Sequence, residues 1–150
     1  MLKLKAAKAY ESFFGDENFK REFDMLAEAF SAHKFNLTSG TVNAVLLGVS
    51  YVNIEKKLHV AVAFANMMEE TINEIHAKLV LNLKNVEAEV AVATVDFDAE
   101  FLGELKNKEA VYFNLKIPVR GLKEDREFTV SEYTGRLDEV RVSFAKKEEV

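Results

Sequence analysis

The chain has no cysteine and no tryptophan, one proline and six glycines in 150 residues. Without cysteine there is no disulfide, no thiolate metal site and no cysteine nucleophile. The glycines are scattered, with no G-x-G-x-x-G and no Walker-type loop, so nothing is set out to cradle a nucleotide phosphate. No G-x-S-x-G occurs, and neither Ser39 nor Ser50 has an evident base partner. No stretch approaches the roughly 18 apolar residues of a membrane span, so membrane insertion is not expected. "MLKLKAAKAYESFF" has no uninterrupted apolar core of a signal peptide. The chain as written reads as cytoplasmic, or as cell-surface if a signal peptide or anchor has been removed. Positive charge is also in deficit. Twenty Lys and Arg face 25 Asp and Glu, a net charge of −5, with no basic stripe interleaved with aromatics, so nucleic acid is not an expected partner.

What is present is apolar residue in quantity: 49% of the chain is hydrophobic and 30% charged, as in one folded domain with a substantial core. Its pattern divides the chain. Residues 1–36 read as an N-terminal helical arm, because Phe19, Phe23, Leu26 and Phe30 recur at helical spacing. Asp16 is the expected N-cap, with Glu17 in the first turn. A shorter stripe of Ala6, Ala9, Tyr10 and Phe13 precedes it, so the arm is one helix broken at Gly15-Asp16 or a helical hairpin. "NLTSG" at 36–40 reads as a linker.

Residues 41–145 read as the β-sandwich domain. Strands are expected at Thr41–Ile54, Leu58–Asn66, Asn73–Leu83, Ala88–Phe97 and Ala110–Ile117, the last stopped by Pro118. Phe128–Tyr133 and Leu137–Phe144 read as a terminal hairpin turned by "TGR" at 134–136. The fold class is therefore mainly β: an immunoglobulin-like antiparallel β-sandwich of about seven strands with an N-terminal helical arm.

"LHVAVAFAN" at 58–66 is the informative strand. Leu58, Val60, Val62 and Phe64 make one face of bulky core residues. The other face carries Ala61, Ala63 and Ala65 where a solvated sheet would carry polar groups, so something is expected to cover them. The phenylalanine stripe of the arm is the natural cover, from the same chain or a second copy, with Phe23, Leu26 and Phe30 inserted. Phe19, Phe23, Leu26, Phe30, Ala61, Ala63 and Ala65 are accordingly the candidate interaction residues, with an exposed sheet edge as a second route.

Gly40 to Pro118 resembles the SLAP-type domains of bacterial surface-layer assembly and accessory secretion proteins. The resemblance rests on "LHVAVAFAN", "NEIHAKLVLNL" and "VATVDFDAEFLGELKNKEAVYFNLKIP". It covers just over half the chain and leaves out the arm and the terminal hairpin. The tryptophan often found in such domains before the proline is missing here. The resemblance implies a bacterial immunoglobulin-like interaction module with no catalytic residue to carry over.

Residues with chemistry are few. His33, His59 and His76 lack the partners of a zinc site, and no metal or cofactor is expected. Glu69, Glu70 and Glu74 cluster in one place. Asp96, Asp98, Glu100 and Glu104 cluster in another, with Asp96 and Asp98 expected on one strand face as in an acid–base pair or a calcium rim. In so charged a chain, solvated strand ends account for such clusters. The expected function is a non-enzymatic protein-interaction module, with a protein partner or self-association as a homodimer. The alternative is a small-ligand or lipid carrier with an apolar pocket between arm and sheet.

Overall fold

The period-two segments form strands that pack as two sheets in the computed structural model, which describes residues 2–8, 10, 15–32 and 36–145. The first sheet runs in the order β1 (Lys3–Ala6), β7 (Glu109–Arg120), β3 (Lys57–Asn66), β2 (Val42–Val52) and β8 (Arg126–Phe128). A two-residue strand, β5 (Glu89–Val90), pairs with the C-terminal end of β7. The second sheet sets β4 (Ile72–Leu83) between β6 (Ala93–Phe97) and β9 (Tyr133–Phe144). Every pairing is antiparallel except that of β1 with β7. The molecule is a β-sandwich with a helix, α1 (Glu17–Ala32), on the outside of the first sheet.

The sandwich forms because the apolar parity of each strand faces the other sheet. Leu58, Val60, Val62 and Phe64 of β3 are at most 1% exposed, and Ile75 and Leu79 of β4 meet them fully buried. Each such side chain contributes roughly 1.5–3 kcal/mol over leaving it in water. Aromatic rings fill the end near β6: Phe97 stacks on Phe113 at 4.0 Å between centroids, and Phe64 meets Phe97 edge-on at 5.7 Å. At the start of α1, the Asp16 carboxylate accepts the N–H groups of Asn18 and Phe19 at 2.8 and 3.3 Å, the N-cap expected from the sequence.

Four local expectations are corrected. Residues 3–6 are strand, not helix. Leu4 and Ala6 are buried and Lys3 exposed, so the alternation of "LKLKA" outweighs the weaker helical stripe there. Ala9, Phe13 and His33 lie outside the described residues. The segment at 88–97 is two strands, because the chain leaves the first sheet after Val90 and joins the second at Ala93.

Pro118 does not end β7, which runs on to Arg120. The proline carbonyl accepts the Ala91 N–H at 2.9 Å. Its nitrogen therefore points to the same side, where only the short β5 follows and no ladder donor is required.

Residues 128–144 are not a hairpin. β8 pairs with β2 and β9 with β4, and the turn Val130–Glu132 carries the chain from one sheet to the other. "TGR" lies inside β9, with Gly135 against the opposite sheet. A Cβ at Gly135 would stand 2.7 Å from Leu46 Cδ1, so the glycine permits close packing and makes no turn. These changes bring the total to nine strands among the described residues, against about seven expected.

Candidate functional site

The alanine face is covered by the chain's own helix. Phe30, 3% exposed, is buried in one cluster with Ala63, Ala65, Ala110, Val45 and Leu4, and Phe23, Leu26 and Ala27 pack against it. Alanine on the sheet lets the helix come close enough for Phe30 to be swallowed. Phe23 meets the Tyr112 ring at 6.4 Å and stacks with Phe19 at 6.4 Å. The cover stops short of Ala61, which stays half-buried. Ala61, Gly48 and Asn114 line a shallow trough of about 310 Å³ beside His59 and Glu127.

The titratable candidates are dispersed. His59 is on the outer face of the first sheet, where its Nε2 lies 2.8 Å from Glu55, and Lys116 donates to the same carboxylate at 3.0 Å. The Lys116 hydrogen bond, helped by His59, holds the Glu55 carboxyl below its usual range. Ser50 lies opposite His59 on β2, with no hydrogen bond between them among those described.

His76 is on β4 of the other sheet, facing outward. Its Nδ1 lies 2.8 Å from Asp96 and its Nε2 3.4 Å from Glu74. A neutral imidazole donates from only one nitrogen, so two carboxylates favour the imidazolium. The hydrogen bond to Asp96, and then the one to Glu74, raises its pKa.

The expected pairing of Asp96 with Asp98 is also corrected. Asp98 lies beyond β6 and accepts the Phe101 N–H at 2.9 Å as N-cap of α2 (Ala99–Leu102), so the chain has turned before the second carboxylate. Among the described residues no group of three or more His, Asp or Glu side chains is placed to hold a metal ion.

At the end of β3, just before Glu69 and Glu70, stands the one buried polar residue among those described. Asn66, 0% exposed, donates from Nδ2 to the carbonyls of Glu70 and Leu105 at 3.0 and 2.9 Å. Its Oδ1 accepts the Met68 N–H at 2.9 Å. The asparagine ties the β3–β4 connection to the segment before β7.

The edge of β9 is a poor template for an added strand. It carries Arg136, Asp138 and Arg141, and a register shift sits beside Glu139, whose φ is +52°.

The opposite end of the sandwich holds a trough that the sequence reading missed. Its volume is about 760 Å³, and its apolar lining is Tyr51, Val90, Val119 and Leu122, all from the first sheet and its connections. Three contacts fix its rim. The Tyr51 hydroxyl lies 3.1 Å from Asn53 Oδ1 and 3.3 Å from the Leu122 carbonyl, and the Asp125 carboxylate accepts the Asn53 N–H at 2.7 Å. Gly121 has φ +107°, and a Cβ there would meet the Glu87 carbonyl oxygen at 2.5 Å. Lys56, Arg120 and Glu89 stand around the trough. Ile54, 91% exposed, and Val92, 53% exposed, flank it in the chain, next to Glu55-Lys56 and to Ala91. The sequence reading put Ile54 at the end of a strand, whereas β2 ends at Val52 and Ile54 lies in the turn that follows.

No helix among the described residues is long and apolar enough to cross a membrane. Comparison with protein-family models, curated proteins and solved structures returned no match.

Proposed function

We propose that this chain is a non-enzymatic protein-interaction module that binds through the loop end of its sandwich. The observation that carries the reading is the trough of about 760 Å³, with Ile54 and Val92, 91% and 53% exposed, close in the chain to its lining residues Lys56 and Ala91. Exposed aliphatic side chains around a held concavity mark a contact surface. Two packed sheets with a concave loop end accord with the immunoglobulin-like module implied by the resemblance to SLAP-type surface-layer assembly and secretion domains. On this reading α1 serves as a third layer of the module, because Phe30, Ala63 and Ala65 are used within the chain.

A small-ligand or lipid carrier with its pocket between arm and sheet is the second reading. It requires Phe30, Ala63 and Ala65, at 3%, 0% and 0% exposure, to part before anything enters. The loop-end reading is tested with Ile54→Asp and Val92→Asp. Both positions are exposed, so stability should move by less than about 0.5 kcal/mol. A partner cross-linked to the full chain, or a second copy in sedimentation, should bind at least about ten-fold more weakly to the double variant. An undiminished complex would count against the loop end.

A further inference from the structure

We infer that the open edge of β6 takes up an extended segment of a partner polypeptide as an added strand, one that alternates aliphatic and uncharged polar side chains. This is a second surface, and it does not depend on the loop-end trough. The two edges of the second sheet are unlike. The β9 edge is guarded by Arg136, Asp138, Arg141 and a register shift. β6 pairs with β4 without a shift, and Ala91 to Val95 is a run with no charge and no proline. Its one charge, Asp96, is on the outer face, 2.8 Å from His76. Sheet edges are ordinarily blunted by charge, proline, a bulge or a cover. Among the described residues the β6 edge has no such guard beyond Asp96.

The backbone says what fits there. Val95 is 1% exposed, whereas Thr94 and Asp96 on either side of it are exposed. A strand sends the N–H and C=O of alternate residues to opposite sides. Val95 therefore gives its pair to Ala77 on β4, and Thr94 and Asp96 turn theirs to the open side. No backbone partner meets them there among the described residues. Val92, 53% exposed, shares their parity and lengthens the line at its start. Groups repeated at strand spacing in one line are met together only by another extended backbone.

Position decides between a single strand and a whole second sandwich. Phe97 stacks on Phe113, so β6 stands over β7, and β1 lies one strand further out in the first sheet. The β6 edge is set back by that strand. Laying a second copy's β6 beside it would drive each β1 into the other copy's first sheet, while one strand fits on the ledge. Inward, the added strand continues the line of Val95 and Phe97, at 1% and 8% exposure, which wants aliphatic side chains. Outward, it adjoins a surface whose charges are already matched. Asp96 lies 2.8 Å from His76, and Lys78 lies 2.7 Å from Glu139, so uncharged polar side chains suit that side.

Fluorescence anisotropy of the full chain is measured with a short dye-labelled peptide that alternates Val and Thr, with Lys at both ends for solubility. It should bind, and a peptide of the same composition with Val and Thr in blocks should bind about ten-fold more weakly or worse. Two further peptides carry N-methyl groups, one on every Thr and one on every Val. One set of amides faces β6 and the other faces away, so one of these peptides should lose binding and the other keep it. Thr94→Pro removes an N–H from the open side and none from the β4 ladder, and should weaken the alternating peptide by about five- to ten-fold. Thr94→Ala keeps that N–H and should bind within about two-fold of wild type. Circular dichroism checks that both variants fold. If Thr94→Pro does not, the methylated peptides decide the matter on the unaltered chain. Equal binding of the alternating and blocked peptides, like behaviour of the two methylated ones, a folded Thr94→Pro that binds as wild type, or no binding by the alternating peptide would each overturn the inference. So would a chain that sediments as a dimer and parts into monomers with Thr94→Pro, because a second copy would then hold the edge.

Discussion

Replacing Asn66 by leucine keeps the volume and removes every hydrogen bond its side chain makes. Three groups lose a partner: the Met68 N–H, the Glu70 carbonyl and the Leu105 carbonyl. They do not suffer equally. Glu70 is exposed, so water replaces the amide there, and the Leu105 carbonyl still accepts the Ile72 N–H at 3.0 Å. Met68 is half-buried and its N–H has no other described acceptor. One donor left unmade costs about 1–3 kcal/mol and each lost bond about 1 kcal/mol net, so the variant should be destabilised by about 2–4 kcal/mol. Guanidinium unfolding followed by circular dichroism reads this as a lower midpoint at an unchanged slope.

Asn66→Asp sharpens the test. It preserves shape and the Met68 bond, but it turns both carbonyl partners towards an acceptor. At neutral pH it should be worse than Asn66→Leu. Burial and the carbonyls raise the folded-state pKa of the introduced carboxyl above its unfolded value of about 3.9. Its stability relative to the leucine variant is therefore greatest below the unfolded pKa and is lost as pH rises through the folded one. A loss under about 0.5 kcal/mol for leucine, or an aspartate variant as stable as wild type at neutral pH, would refute the account, since surface changes fall in that range.

Three further outcomes follow from the packing and the surface charges. Phe30→Ala should cost about 3–5 kcal/mol, while Met25→Ala on the same helix, where Met25 is 66% exposed, should cost under about 0.5, both read from thermal or denaturant midpoints. Gly135→Ala should destabilise by about 1–3 kcal/mol through collision with Leu46, and Leu46→Ala in the same chain should recover part of that in a double-mutant cycle; additive losses would break the packing argument. His76→Gln should cost stability at acidic pH and little at alkaline pH. The raised pKa means that the histidine contributes fully below its unfolded value of about 6.5 and ceases to as pH rises through the folded value, which NMR titration of the ring measures directly.

The strongest parity signals were readable before any coordinates. Leu58, Val60, Val62 and Phe64 share one face, and the alanines opposite them asked for a cover that α1 supplies at Ala63 and Ala65. Local rules failed where tertiary position reversed their meaning. Pro118 stops a strand only if its missing N–H is needed, and Gly135 turns a chain only if nothing requires the space of its absent Cβ. Which carboxylates converge was not legible, because Asp98 leaves the strand to cap α2 and the two strand histidines belong to different sheets. The loop-end trough was invisible for the same reason. Tyr51, Val90, Val119 and Leu122 come from distant stretches that no periodicity links.

The parallel pairing of β1 with β7 also sets a timetable. Leu4 stands opposite Ala110, so the first strand leaves the ribosome roughly a hundred residues ahead of its partner and must stay unpaired meanwhile. Phe30 waits with it, since its cluster draws on Ala110 as well as on β3. Closure of this layer is consequently a late step, and slowed synthesis around Glu109–Arg120 should lengthen the time that the α1 phenylalanines remain open to chaperones.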